Sequence, residues 1–132
     1  MNQKRILIAD DIQDHRIILR HQLHRIGTFA ILEATNGQEV LDVVAREAVD
    51  LIILNLGMPV LDGWEVARRI RLMPSPAGDV PIIAFTAYAG AGSEQRARAA
   101  GCDEYLAKPI LDVTLLKDKV EQLLTYGRTG RP

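Results

Sequence analysis

At 132 residues the chain has the length of one domain, and 48% of its side chains are hydrophobic, enough to bury a core without disulfides or a structural metal. The 25% of charged residues is that of an ordinary globular chain and excludes disordered, collagenous and membrane compositions. Sixteen basic against seventeen acidic side chains leave a net charge of -1, so no bulk field draws the chain to nucleic acid or to an anionic membrane surface.

The first apolar run, residues 5–9, reads as a strand. A helix over about residues 12–26 follows, with Ile18, Leu19, Leu23 and Ile26 on one stripe and Gly27 at its end. Residues 29–33 form the second strand. The second helix starts at Asn36, a good N-cap, with Glu39 spaced to reach back to it as in a capping box; Val40, Leu41, Val43 and Val44 turn inward before the helix stops short of Asp50. Residues 50–54 read as the third strand, and a helix over about 63–73 is closed by Pro74 and Pro76, which cannot continue it. A flexible connection leads to a fourth strand at 80–85. Ser93 is expected to cap a short helix that runs to Ala100 and ends at Gly101. The fifth strand, 104–107, precedes a last helix over about 111–125 that turns Leu115, Leu116, Val120, Leu123 and Leu124 to the sheet. Residues 126–132 are left as a flexible tail.

Strand and helix thus alternate five times through short links, without internal repeats, which predicts a doubly wound α/β domain over residues 4–125. The first, third and fourth strands are nearly continuous in apolar residues, as a parallel sheet covered on both faces requires. Such sheets bind ligands beyond the carboxyl ends of their strands, so the residues after each strand are the ones to read for chemistry. They are Asp10-Asp11, Asn55, Thr86-Ala87 and Lys108-Pro109. Two carboxylates offer hard oxygen ligands to Mg²⁺, and a lysine with a hydroxyl suits phosphoryl oxygens.

The stretches 6–11, 54–63 (Leu-Asn-Leu-Gly-Met-Pro-Val-Leu-Asp-Gly), 85–87 (Phe-Thr-Ala) and 105–109 (Tyr-Leu-Ala-Lys-Pro) resemble the response-regulator receiver family of two-component signalling. Residue type, order and spacing agree at four separate places. The resemblance implies a flavodoxin-like (βα)5 fold with a five-stranded parallel sheet of order 2-1-3-4-5. It implies a phosphorelay role, in which a sensor histidine kinase or histidine phosphotransfer protein donates a phosphoryl group to an aspartate after the third strand. Mg²⁺ would then be held by Asp10, Asp11, residue 55 and the backbone carbonyl of Gly57. Thr86 would follow the phosphoryl group, Ala87 would leave the site open, Lys108 would pair with the phosphoryl group, and Tyr105 would be the aromatic switch. The first helix would meet the donor, and the fourth helix, fifth strand and fifth helix would form a homodimer face.

The departure is Asn55, which stands where the family has the phosphoacceptor aspartate. Its amide has nearly the same shape but is neutral and a far poorer nucleophile, so phosphorylation there should fail and Mg²⁺ binding should weaken. A naturally degenerate receiver and a variant engineered to be inactive would both carry it. The expected role is protein-protein interaction rather than enzymic turnover. A flavin mononucleotide carrier on the same fold is the alternative, although the loop after the first strand holds two carboxylates rather than a Gly/Ser/Thr-rich phosphate cradle. His15, His21 and His24 read as a solvated helix face rather than a metal site, and Cys102, the only cysteine, as a small packed residue. No apolar run is long enough to cross a bilayer and no signal-peptide pattern opens the chain, which makes a cytoplasmic location the expectation, as a single-domain regulator or a fragment.

Overall fold

The structure is a computed structural model that describes residues 3–87, 90–110 and 112–131. Five strands, β1 (Lys4–Ala9), β2 (Phe29–Ala34), β3 (Leu51–Asn55), β4 (Ile82–Thr86) and β5 (Glu104–Ala107), pair in the order β2-β1-β3-β4-β5. Every neighbouring pair is parallel. Because successive strand residues point to opposite faces, the continuous apolar runs feed two cores at once. Ile6, Ile8, Leu51, Ile53, Ile83 and Phe85 face one side; Leu7, Ala9, Ile52, Leu54, Ile82 and Ala84 face the other.

Helices α1 (Gln13–Ile26) and α5 (Val113–Tyr126) cover the first side with Leu19, Leu23, Leu116, Val120 and Leu123. Helices α2 (Gly37–Arg46), α3 (Gly63–Arg71) and α4 (Ser93–Ala100) cover the second with Val40, Val44, Val66, Ile70 and Ala97. The chain winds outward from β1 to β2 and then returns to place β3 on the other side of β1, so the switch in strand order lies between β1 and β3. Asp10 and Asn55 therefore flank one crevice.

Local capping sets where the helices begin. Asn36 accepts from the Glu39 backbone N–H at 2.9 Å, while the Glu39 carboxylate reaches past Asn36 to the N–H and hydroxyl of Thr35, at 2.7 and 2.9 Å. Asp62 caps α3 through the Glu65 N–H at 2.9 Å, and Asp112 caps α5 through the N–H groups of Thr114 and Leu115. A Cβ on Gly63 would meet the Asn55 carbonyl oxygen at 2.7 Å, so only glycine lets α3 start so close to the end of β3.

Several expectations need correction. Ser93 is not the cap of α4: Gly92, in the left-handed region at φ 82°, takes that position without a side-chain bond, and the Ser93 hydroxyl accepts from the Tyr105 hydroxyl at 3.1 Å. Ile18 and Leu115 do not face the sheet; they are 55% and 45% exposed. Each sits about 100° around its helix from a buried neighbour, Leu19 or Leu116, that takes the inward line. The connection after α3 carries a 3-10 turn, Ala77–Asp79. The tail is likewise structured, since Gly127–Thr129 form a 3-10 turn and Arg128 Nε donates to Asp103 Oδ1 at 2.9 Å, drawn by a largely buried carboxylate. Residue Leu111, the expected start of the last helix, lies outside the described residues, as does Pro132. Cys102 is buried, and that burial pushes its thiol up to about 12, as befits a packing residue.

Val60, in the loop between β3 and α3, is the one non-glycine with positive φ among the described residues, at 69°. The Leu61 N–H donates to the Pro59 carbonyl at 2.8 Å and closes a γ-turn around it. A β-branched side chain is strained there, and at 80% exposure it recovers little by packing. Val60→Gly should therefore raise stability by about 1 kcal/mol, read as a higher urea midpoint at unchanged slope. A lower midpoint would show that the valine side chain supports the loop.

Candidate functional site

Asp10 and Asp11 leave β1 at the switch point. Asp10 is only 2% exposed, and Asp11 faces solvent. The buried carboxylate is fully engaged: Oδ1 accepts from the Ile12 N–H at 3.0 Å and from Asn55 Nδ2 at 3.4 Å, and Oδ2 accepts from Lys108 Nζ at 2.6 Å. Its backbone is held as well, through its N–H to the Ala34 carbonyl at 3.1 Å and from Arg16 to its carbonyl at 2.9 Å. Arg16 also donates to Glu33 on β2, with Arg20 beside it, and hydrogen bonds from Arg20 and then Arg16 outweigh desolvation to hold the Glu33 carboxyl below its ordinary range. The corner that presents the acidic pair is thus tied to the edge strand.

Asn55 ends β3 at 7% exposure. Its Nδ2 donates to Asp11 Oδ1 at 3.2 Å as well as to Asp10, and its Oδ1 accepts from the Gly57 N–H at 3.3 Å. These three contacts fix the amide orientation, because turning it over would set oxygen against two carboxylates and NH₂ against an N–H. Lys108 follows β5, its backbone N–H donating to the Thr86 carbonyl at 2.7 Å, and the bond to Pro109 is cis. Its ammonium lies 5.0 Å from the Phe85 ring centroid.

The cleft therefore gathers Asp10, Asp11, Asn55 and Lys108 in direct contact, with buried Thr86 and exposed Ala87 at the neighbouring strand end. Tyr105 is half-buried one strand further out, tied to Ser93. His15, expected on a solvated face, instead sits in the cleft, its Nδ1 at 3.1 Å from Lys108 Nζ and 3.4 Å from Asp10 Oδ2. The signal was its place on the first turn of α1, directly behind the acidic pair. His21 and His24 are exposed, as expected. Trp64 is half-buried on α3 with the Arg96 guanidinium of α4 over its ring at 4.2 Å, so it braces two helices beside the cleft.

Carboxylate oxygens suit Mg²⁺, but the donor set as arranged does not fit it well. The amide turns hydrogens, not its oxygen, toward the acidic pair, and both Asp10 oxygens already accept bonds.

The sequence model of the family described as Response regulator receiver domain matches residues 6–121. The chain belongs to the response regulator receiver family. Sporulation initiation phosphotransferase F of Bacillus subtilis is 32% identical over 124 residues, covering 94% of this chain and 95% of that protein. Some other curated relatives are far longer: this chain spans 9% of the sensor protein EvgS of Escherichia coli, at 36% identity over 118 residues. Among solved structures, the receiver domain of the sensor histidine kinase PA1611 from Pseudomonas aeruginosa, with a magnesium ion in its active site cleft, superposes with a TM-score of 0.82 at 28% identity, covering 94% of this chain and 98% of that one. The receiver domain of Ssk1 from Saccharomyces cerevisiae, co-crystallised with the histidine phosphotransfer protein Ypd1, gives 0.79 at 29% identity, covering 92% and 88%. This receiver is thus a domain of two-component signalling with the expected flavodoxin-like sheet order 2-1-3-4-5. Among the described residues no helix is long and apolar enough to cross a membrane.

Proposed function

We propose that this receiver docks with histidine-containing phosphodonors but accepts no phosphoryl group at Asn55, and acts in the cytoplasm by binding partners rather than by turnover. The observation that carries this is the position of Asn55: it ends β3, lies beside the acidic pair in the crevice, and offers a hydrogen-bonded amide where a nucleophilic carboxylate oxygen is needed. On the same reading Thr86, Ala87, Lys108 and Tyr105 keep the places of the phosphoryl-binding and switch residues, and any Mg²⁺ at Asp10, Asp11 and the Gly57 carbonyl is weakened by the lost anionic ligand.

The donor surface is α1. Ile17 and Ile18 are 46% and 55% exposed on it, and Ile18 lines a cavity of about 320 Å³ with Gln22, Phe85, Pro109 and Ile110, next to Lys108. An apolar patch beside the cleft suits a packed helical partner, such as a kinase or phosphotransfer bundle. Nucleic acid and membrane are not expected partners at a net charge of -1. A second copy of the chain would meet the face of α4, β5 and α5, where Leu115 and Tyr126 are each 45% exposed and β5 is the last strand of the sheet.

Calorimetric titration with an unphosphorylated histidine phosphotransfer protein tests the docking. The parent should bind, and Ile18→Glu should weaken binding by about tenfold or more, since it buries a charge in an apolar contact. Equal affinity of the two would remove α1 from the interface.

A further inference from the structure

We propose that the acidic pocket of this chain is neutralised from within: the Asn55 carboxamide and the Lys108 ammonium stand in for a divalent cation, and the cleft reaches its final geometry without Mg²⁺. This deepens, and rests on, the reading of the cleft as a receiver pocket.

Two adjacent carboxylates, one of them buried, need compensating positive charge or hydrogen-bond donors. A hard cation supplies it by accepting oxygen lone pairs on several sides. Here both oxygens of Asp10 and one oxygen of the exposed Asp11 accept protein hydrogens. One amide group of Asn55 serves both acids, at 3.4 Å to Asp10 and 3.2 Å to Asp11, and Lys108 Nζ takes the remaining Asp10 oxygen at 2.6 Å. With side chains 10% and 3% exposed, Lys108 and Asp10 form a shielded pair whose attraction solvent weakens little.

The partner that Lys108 takes follows from residue 55. A neutral amide has no charge to attract the ammonium, so the nearest buried carboxylate does, and His15 Nδ1 closes the other side at 3.1 Å. The Gly57 N–H, bonded to Asn55 Oδ1 at 3.3 Å, keeps the amide from turning its oxygen toward the pair. For a cation to enter, the amide must turn and the Lys108 bond must break.

The test compares the parent chain, Asn55→Asp and Lys108→Met by thermal unfolding and by Trp64 fluorescence, with millimolar MgCl₂ or with EDTA. Trp64 is the only tryptophan and shares a cavity with Gly57 and Thr86. The parent should melt at the same temperature in both buffers and show no saturable fluorescence change. Asn55→Asp should melt lower in EDTA, recover with Mg²⁺, and half-saturate at a concentration at least about tenfold below any response of the parent. Lys108→Met, with one compensating charge removed, should become Mg²⁺-responsive even with Asn55 in place, which keeps the proposal testable if Asn55→Asp folds poorly. A parent that responds to Mg²⁺ as Asn55→Asp does, yet takes no phosphoryl group, overturns this proposal alone. No response from either substituted chain overturns it together with the receiver-pocket reading.

Discussion

Asn55→Asp should be labelled to near stoichiometry by phosphoramidate in magnesium buffer, while the parent chain, on the proposed reading, should take no phosphoryl group. The chemistry balances simply: a carboxylate oxygen attacks phosphorus, an acyl phosphate forms, the P–N bond breaks and ammonia leaves with the proton. An amide oxygen lacks the charge to make that attack. The same substitution should lower stability in EDTA. It removes the two hydrogen bonds that Asn55 gives to Asp10 and Asp11 and adds a third negative charge beside them. Two unit charges 4 Å apart interact by about 4 kcal/mol at an effective dielectric near 20, and solvent at exposed Asp11 reduces this, so a net loss of about 1–3 kcal/mol is expected. Intact mass spectrometry reads the label and urea unfolding reads the loss; an unlabelled Asn55→Asp chain of undiminished stability would contradict both steps.

Arg71→Ala should cost about 3–5 kcal/mol, a large share of the roughly 5–15 kcal/mol that holds a domain. From the end of α3 its guanidinium donates to the carbonyls of Gly101, Gly78 and Val80, at 2.9, 3.0 and 2.7 Å, and to Asp103 Oδ2 at 2.9 Å. The same Asp103 oxygen accepts from the Ile82 N–H at 2.9 Å, so the network fixes where β4 starts and where the chain enters β5. The two side chains are 13% and 6% exposed. Burial pulls the Arg71 pKa down, Asp103 opposes that, and the cation persists because it has a counter-charge. Removing it takes the donor from three carbonyls and leaves the largely buried Asp103 carboxylate with the Ile82 N–H and, as counter-charge, the partly exposed Arg128, and lysine cannot supply the fork. Arg71→Lys should therefore rescue little, and high salt should not reproduce the loss. A destabilisation of Arg71→Ala below about 1 kcal/mol, as for an exposed pair, would show that the network carries no such weight.

The strands were legible because the apolar runs at 6–9, 51–54 and 82–85 are continuous, and only a sheet buried on both faces makes use of that. Asn36 was legible as a cap because the bond it makes is local. The cleft could be read from Asp10, Asp11, Asn55 and Lys108 because strand ends converge in this architecture whatever the side-chain details. What escaped the sequence were contacts made across the fold. His15 meets Lys108 over 93 residues, and Arg71 meets Asp103 over 32; nothing local marks either pair. Ile18 and Leu115 were misplaced because adjacent apolar residues on a helix compete for one inward line, and the choice falls to packing. Ser93 looked like a cap by type, yet its hydroxyl meets Tyr105 on the next strand.

On the proposed reading, a receiver cleft with an amide at the acceptor position binds the donor without taking its cargo. This is tested most directly by mixing the parent chain with a phosphorylated histidine phosphotransfer protein and following the phosphoryl group by phosphate-affinity gel and intact mass. A complex should form while the phosphoryl group stays on the donor histidine and the chain keeps its unmodified mass. Transfer to the parent chain, mapped to Asp10, Asp11 or any other residue, would contradict it.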